Sequence, residues 1–407
     1  MHPATVFILL FTVATAVAIA SRRLKIPYTV ALVLAGLGLG ATRVVHGVHL
    51  TKDLLYSVFL PGLVFEAAFH LKLSEFRENA RMIFALAVPG VLVAIGATAT
   101  LLVTSASLGE VASGFGWPHA LVFAALIAAT DPIAVVALFK SVGAPPRLTL
   151  LIEGESLVND GTAIVLFTIV YEAVTGAGGV ARGSLEFIEV VGLGLAVGAV
   201  VGFTVSRLIA TVDDAMIEIA LTMIAGYGSF VAAEALHSSG VIATVVAGMV
   251  CGNFGAPRGM TPAVRVAVES FWEYLAFALN SLVFLLIGLE VHVNRLLFEW
   301  RPILLAYVAV LGGRAFVVFL AWALLRWTRE AVPWRWTLVL TWGGLRGALS
   351  MVLALALDPD FPQRDIVVSM TFGVVLLSIV VQGITTEPLL RALGLTGDAT
   401  RAEDQAR

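Results

Sequence analysis

A single cysteine, Cys251, leaves no partner for a disulfide within the chain and no thiolate set for a zinc or iron–sulfur site. Charge is scarce too: 13% of the 407 residues are Asp, Glu, Lys or Arg and 59% are hydrophobic, against about 25% charged in soluble domains. That balance excludes a water-soluble globular fold. The 25 Lys and Arg nearly cancel the 28 Asp and Glu, and no basic run could neutralise a row of phosphates, which argues against nucleic acid as a partner. No basic n-region precedes the apolar run from Ala4 to Ala20, and that run ends in Ser21-Arg22-Arg23 without a small-residue cleavage pattern. It reads as a membrane span and not as a leader. After the last apolar run only residues 396–407 remain, so no soluble regulatory domain is expected.

What the chain has is apolar runs, at a mean hydropathy of +0.97. Bounded by charge or by Pro/Gly clusters, they centre near residues 12, 34, 61, 94, 130, 162, 197, 224, 245, 281, 313, 346 and 377. Their length requires helices, since barrel strands would be about ten residues with polar alternation. The expected fold is an all-α polytopic membrane protein with thirteen transmembrane helices. An N-terminus outside places most Lys and Arg, among them Arg22, Arg23, Lys25, Lys72, Arg81, Lys140, Arg147, Arg401 and Arg407, on the cytoplasmic side. It leaves Arg43, Lys52, Arg182, Arg295, Arg301 and Arg364 outside, as the positive-inside rule demands. The protein is therefore expected to be multi-pass in the cell (inner or plasma) membrane, with its C-terminus cytoplasmic.

Six spans, a connector and six more put the two halves in opposite orientations, the arrangement of an inverted-repeat transporter. The fifth span is interrupted by Thr130-Asp131-Pro132 and the twelfth by Gly343-Gly344-Leu345-Arg346-Gly347. These are corresponding positions in the two repeats. Unwound backbone at membrane depth is tolerated only where it is buried in protein or lines a cavity, so the two interruptions point to a binding site.

Charged groups at that depth pair or line a watery path. Asp131 follows His119 by twelve residues of helix, about 18 Å, which is mid-bilayer; Asp160 reaches a similar depth from the opposite face. Thr130, Ser156 and Asn159 supply neutral oxygens around them, and Ser156 with Asp160 and Glu155 with Asn159 are i,i+4 pairs. Hard oxygens without His or Cys suit an alkali or alkaline-earth cation. Glu66, in the inner half of span three, is a gate or a further ligand. Glu155 is expected to be the counter-ion of Arg314 or of its rival Arg346, two guanidiniums that stay charged and act as fixed countercharges. Glu153 is structural or belongs to the inner funnel, and His70, His119, His237 and His292 read as solvated or lightly packed imidazoles at span ends. The 38 glycines read as close helix packing and not as cofactor loops.

The runs Ala129-Thr130-Asp131-Pro132 and Glu153-Gly154-Glu155-Ser156-Leu157-Val158-Asn159-Asp160-Gly161-Thr162-Ala163 occur with Phe65-Glu66, Gly313-Arg314, Gly343-Gly344-Leu345-Arg346-Gly347-Ala348 and Gln382-Gly383-Ile384-Thr385. Together they resemble the monovalent cation/proton antiporter superfamily, and within it the electroneutral, prokaryotic type of the sodium/proton exchanger branch. The resemblance implies a core transport domain of residues 81–176 and 299–395 in which the broken helices five and twelve cross. It implies a dimerisation domain of residues 1–80 and 212–298, a linker helix at 177–211, a short cytoplasmic tail at 396–407 and a homodimer. It makes Asp160 the ion- and proton-binding carboxylate, with Asp131, Thr130, Ser156 and Glu66 giving Na+ direct or water-mediated oxygens.

Asn159 stands where the electrogenic branch has a second aspartate, and Arg314 where that branch has a titratable lysine. The resemblance thus implies one cation per proton. It implies exchange of Na+ or Li+ for H+ by alternating access, in pH and sodium homeostasis, with no cofactor beyond the transported ions and no enzymatic activity. The long regulatory tail of the animal exchangers has no counterpart, so phosphorylation or calmodulin control is not implied. A K+/H+ antiporter of the same fold is the alternative, since cavity size and ligand rigidity set selectivity; a cation channel and an intramembrane aspartyl protease stand further off.

Overall fold

The computed structural model describes residues 3–24, 26–42, 52–107, 114–176 and 180–397. Lys25, Arg43, Arg401 and Arg407 of the charge asymmetry, and residues 398–407 of the expected tail, lie outside the described residues. Among the described residues every regular element is helical, in agreement with the expected all-α class.

In chain order the main helices are α1 (Pro3–Leu24), α2 (Tyr28–Thr42), α3 (Leu55–His70), α4 (Ala80–Ala106) and α5 (Trp117–Leu126). They continue with α6 (Ile133–Val142), α7 (Pro146–Thr175), α8 (Val180–Ile209), α9 (Ala215–Ala235) and α10 (Gly240–Gly259). The last are α11 (Pro262–Glu290), α12 (Trp300–Leu325), α13 (Trp334–Trp342), α14 (Ala348–Leu355) and α15 (Arg364–Ala392). Among the described residues, eight of these (α4, α7 to α12 and α15) are long and apolar enough to cross a membrane. The chain is a polytopic membrane protein.

Two pairs of helices are too short to cross alone. α5 and α6 have 10 residues each, α13 has 9 and α14 has 8, or about 12–15 Å apiece against a hydrocarbon core of about 30 Å. α5 stops at Leu126 and α6 begins after Pro132, which has no N–H and forces the preceding residue out of helical geometry. Asp131 Oδ1 then accepts the Ile133 N–H at 3.1 Å and caps α6. At its other end α6 stops on Gly143, whose left-handed φ of 69° needs a residue without Cβ. The second break, residues 343–347, contains three glycines, and α14 resumes from Gly347 in extended geometry.

Packing divides the chain into two compact units: residues 1–52, 81–159 and 281–407, and residues 53–80 and 160–280. The division falls inside α7, between Asn159 and Asp160, and inside α11, between Asn280 and Ser281. In the first unit α4 packs along α12, where Gly90 faces Val317, and α2 meets the end of α11 where Gly36 faces Gly288. Tyr28 and Ser281 share a hydroxyl hydrogen bond of 2.7 Å beside that crossing. In the second unit α3, α8, α10 and α11 enclose a core of Phe65, Phe69, Val205, Ile209 and Trp272, all buried. Trp272 Nε1 donates to Thr222 Oγ1 at 3.0 Å, which satisfies both polar groups inside apolar packing. Gly248 of α10 lies against Ala68 of α3. These small-residue crossings are the packing expected of the glycine-rich spans.

Candidate functional site

The two helix breaks lie against each other in the first unit. The Asp131 N–H donates to Leu345 O at 2.8 Å, across the two breaks. A Cβ placed on Gly347 would sit 2.5 Å from Asp131 Cβ and 2.6 Å from its Oδ2, so the side chain of Asp131 occupies the room a larger residue at 347 would take. Arg346 Nη1 donates to Ala128 O at 2.7 Å and Ala129 O at 3.2 Å, while its backbone N–H donates to Ser378 Oγ at 2.9 Å.

Charge follows the polarity of the half-helices. Asp131 sits at the N-terminal ends of α6 and α14, where backbone N–H groups favour an anion. Arg346 meets the carbonyls at the C-terminal end of α5, and Arg314 meets Leu340 O near the C-terminal end of α13. Helix ends that would otherwise be orphaned at membrane depth are thereby compensated.

The central turn of α7 completes this region. Ser156 Oγ donates to Thr130 O at 3.0 Å and lies 2.8 Å from Thr130 Oγ1; Asn159 Nδ2 donates to Ala128 O and to Thr130 Oγ1, both at 3.1 Å. Because the Ser156 proton goes to a carbonyl, the contact between the hydroxyls uses the Thr130 proton. Each hydroxyl oxygen then accepts one hydrogen bond and keeps one lone pair. Thr130, Ser156 and Asn159 are all buried. The carbonyls of Ala128, Ala129 and Thr130 all accept hydrogen bonds, so the acceptors at the unwound segment's centre are compensated.

Glu155, on the same helix, forms a side-on pair with Arg314: Nη1 meets Oε1, and Nη2 meets Oε2 at 2.7 Å. Arg314 Nε and Nη2 also donate to Leu340 O at 3.2 and 2.9 Å. Of the two arginines proposed as the partner of Glu155, the geometry selects Arg314, and Arg346 binds backbone carbonyls instead. A guanidinium fork against a buried carboxylate is the strong form of this interaction. Glu153 lies further toward the helix start and pairs with exposed Lys140 at 3.2 Å.

Thr130, Ser156 and Asn159 are thus joined directly, and Asp131 is adjacent at the break. Asp160 follows on α7, one turn beyond Ser156, and is half-buried. Glu66 belongs to α3 in the second unit, where His70 Nδ1 lies 3.3 Å from its Oε1 and 2.9 Å from its backbone oxygen. His70 is exposed at the end of α3, as expected of an imidazole at a span end, and in addition has a carboxylate neighbour at i,i+4 spacing in Glu66. Among the described residues no three His, Cys, Asp or Glu side chains converge as a metal cluster. A cation here would depend on hydroxyl and carbonyl oxygens and on water as well as on carboxylates.

Two residues of the region carried no expected role. A π-turn at Ser378–Gln382 interrupts α15 and aims Ser378 at Arg346, while Gln382 Nε2 donates to Trp342 O at 3.0 Å. Such one-turn π segments recur at functional sites. A glutamine inside an apolar span was the available signal.

Comparison with known proteins bears on this arrangement. The family model described as "Sodium/hydrogen exchanger, transmembrane" matches residues 7–392. The Na(+)/H(+) antiporter ApNhaP of Aphanothece halophytica is 37% identical over 389 residues, covering 95% of this chain and 73% of that protein. The Na(+)/H(+) antiporter NhaG of Bacillus atrophaeus is 39% identical over 397 residues, covering 94% and 74%. Among solved structures, the sodium proton antiporter MjNhaP1 of Methanocaldococcus jannaschii at pH 8 superimposes with a TM-score of 0.76 at 19% identity, covering 97% of this chain and 98% of that one. This last likeness is one of fold.

Proposed function

The chain belongs to the transmembrane sodium/hydrogen exchanger family, and on that premise we propose that it exchanges Na+ or Li+ for H+ across the cell membrane, one for one, in pH and sodium homeostasis. It is a transporter and not an enzyme. The observation that carries this reading is the Thr130–Ser156–Asn159 network, whose protons are committed to one another and to carbonyls. It leaves acceptor lone pairs beside Asp131 and one turn from Asp160, which suits a hard cation stripped of most of its water.

A bare carboxylate is costly to carry across the membrane barrier. If the transport domain moves only when Asp160 is neutralised, by a cation or by a proton, the two compete for one site and exchange follows. Asp131, Thr130 and Ser156 contribute oxygens, Asn159 holds Thr130 in place, and Glu66 acts as gate or further ligand. Arg314, permanently charged and held by Glu155, carries no proton, so one titrating carboxylate per site gives electroneutral exchange. The same reading takes thirteen spans in two inverted repeats, with the N-terminus outside and the C-terminus cytoplasmic. Residues 81–176 and 299–395 form the moving core, residues 1–80 and 212–298 the dimerisation domain of a homodimer, and residues 177–211 the linker.

The test is proton flux in reconstituted vesicles under an imposed pH gradient, with Na+, Li+ or K+ added separately and the membrane potential clamped or free. Dissipation by Na+ and Li+ but not K+, indifferent to the clamp, is expected. Equal response to K+ replaces the cation, and a rate that follows the potential rejects the one-for-one stoichiometry.

A further inference from the structure

The connector after α12 lies outside the proposed exchange site and carries three arginines within ten residues. α12 is 26 residues long, about 39 Å, enough to exceed the hydrocarbon core, so residues 326–336 emerge at a membrane interface. They read Arg-Trp-Thr-Arg-Glu-Ala-Val-Pro-Trp-Arg-Trp, three arginines and three tryptophans with one acid. Trp belongs at the headgroup level, and a basic cluster beside the end of a membrane helix attracts anionic lipid.

The fold sorts these groups by charge. Glu330 is buried: its Oε2 accepts the Met82 N–H at 3.0 Å and its Oε1 lies 3.8 Å from Arg81. Arg147 fixes the connector from the side, donating to Glu330 O at 2.9 Å and Ala331 O at 3.2 Å, and Trp322 Nε1 donates to Val332 O at 3.1 Å. With the acid turned inward, Arg326, Arg329 and Arg335 are exposed. Among the described residues none of the three has an ion-pair partner. The Arg326 guanidinium stacks 4.0 Å from the Trp327 ring, and Trp327 is 80% exposed. Phe316, Leu320 and Leu324, exposed at i,i+4 spacing on α12, lead to that tryptophan. An apolar track thus ends at unpaired guanidiniums, the layout of acyl chain and phosphate in one molecule.

We propose that Arg326, Arg329 and Trp327 form a binding site for an anionic phospholipid, whose phosphate engages the two guanidiniums and whose acyl chain lies along Phe316, Leu320 and Leu324. Guanidinium forks match phosphate oxygens two at a time. The charge complementarity selects an anionic headgroup over a zwitterionic one, whose own ammonium would face the arginines.

The experiment titrates phosphatidylglycerol, phosphatidylcholine or inorganic phosphate onto the delipidated full chain in detergent, reading bound lipid by native mass spectrometry and melting temperature in parallel. Phosphatidylglycerol is expected to bind and to raise the melting temperature, with Arg326→Gln/Arg329→Gln binding it at least roughly tenfold more weakly. Arg301→Gln, at the other end of α12 where Arg301 also lies over a tryptophan at 5.4 Å, is expected to bind as the parent does. Arg326→Lys/Arg329→Lys keeps the charge and most of the binding, which separates loss of the site from loss of the fold. Equal binding of phosphatidylcholine, equal stabilisation by inorganic phosphate, undiminished binding by the glutamine variant, or complete loss in the lysine variant overturns the proposal.

Discussion

The backbone N–H of Asp131 donates to the carbonyl of Leu345 at 2.8 Å, so the break in one discontinuous helix is closed by the break in the other. Each interruption alone would strand polar backbone at membrane depth. Together they form a junction in which Asp131 faces helix N-termini and Arg346 faces helix C-terminal carbonyls.

Gly347→Ala tests the closeness of the two breaks. The new Cβ would meet Asp131 Cβ at 2.5 Å and Oδ2 at 2.6 Å, closer than carbon atoms approach, so Asp131 must move. We expect a stability loss of about 1–3 kcal/mol and, with Asp131 in its proposed role as a ligand, Na+-driven flux at least roughly tenfold lower, since a displacement of about 1 Å at a site is costly. Gly344→Ala, whose Cβ would meet the Arg314 side chain at 2.9 Å, is expected to affect the thermal midpoint more than flux. Wild-type flux in Gly347→Ala vesicles would show that Asp131 does not depend on this fit.

Glu155→Gln removes one half of a buried pair and leaves the Arg314 guanidinium without its counter-ion. Glu155 is 2% exposed and Arg314 6%, so the cost should approach that of breaking a buried ion pair, about 3–5 kcal/mol. Arg314→Lys should lose less, because it keeps the charge while forfeiting the fork and the Leu340 contacts. Unfolding midpoints in detergent rank the two; a glutamine variant as stable as the parent contradicts the pairing.

Much of this junction is legible in the amino-acid order. Pro132 and the glycines between 343 and 347 mark the breaks, and Asp131, Thr130, Ser156, Asn159 and Asp160 stand out because polar groups at that depth have nowhere else to go. What the order does not carry is which polar group meets which. Arg314 and Arg346 both stand inside apolar runs, so only their different approach to α7 and to the α5 carbonyls decides that Glu155 pairs with the first. Ser378 and Gln382 reach the second break because a π-turn shifts the helix face there, and no hydrophobic period announces a single extra residue in a turn. The carbonyl of Leu345 is invisible in sequence altogether, since any residue would supply it.

Asn159→Ala tests the hydroxyl network. Ala128 O keeps its bond from Arg346 Nη1, but Thr130 Oγ1 loses its donor, and the lone pairs of Thr130 and Ser156 are no longer held in one orientation. The expected result is a Na+ KM raised roughly tenfold, the scale of about one hydrogen bond's worth of positioning, with little change in maximal rate. A changed maximal rate at unaltered KM would assign Asn159 to the moving step in place of the binding step.

The competition between cation and proton makes a prediction about pH whose sign follows from linkage. If Na+ and H+ exclude one another at Asp160, lowering the pH adds a competitor: apparent Na+ KM rises, by up to about tenfold per pH unit where the proton form dominates, while the maximal rate at saturating Na+ is preserved on that side of the membrane. Raising the pH removes the competitor and KM falls to a floor set by the intrinsic affinity. Asp160→Asn abolishes exchange, whereas Asp131→Asn, which keeps an oxygen to cap Ile133, retains competition at a higher KM. Measuring initial rates across a grid of pH and Na+ in vesicles decides the matter, because pure competition leaves one family of saturation curves with a common ceiling. Curves whose ceiling drops with acidity, and whose KM stays fixed, place the proton at a group other than the one that binds the cation.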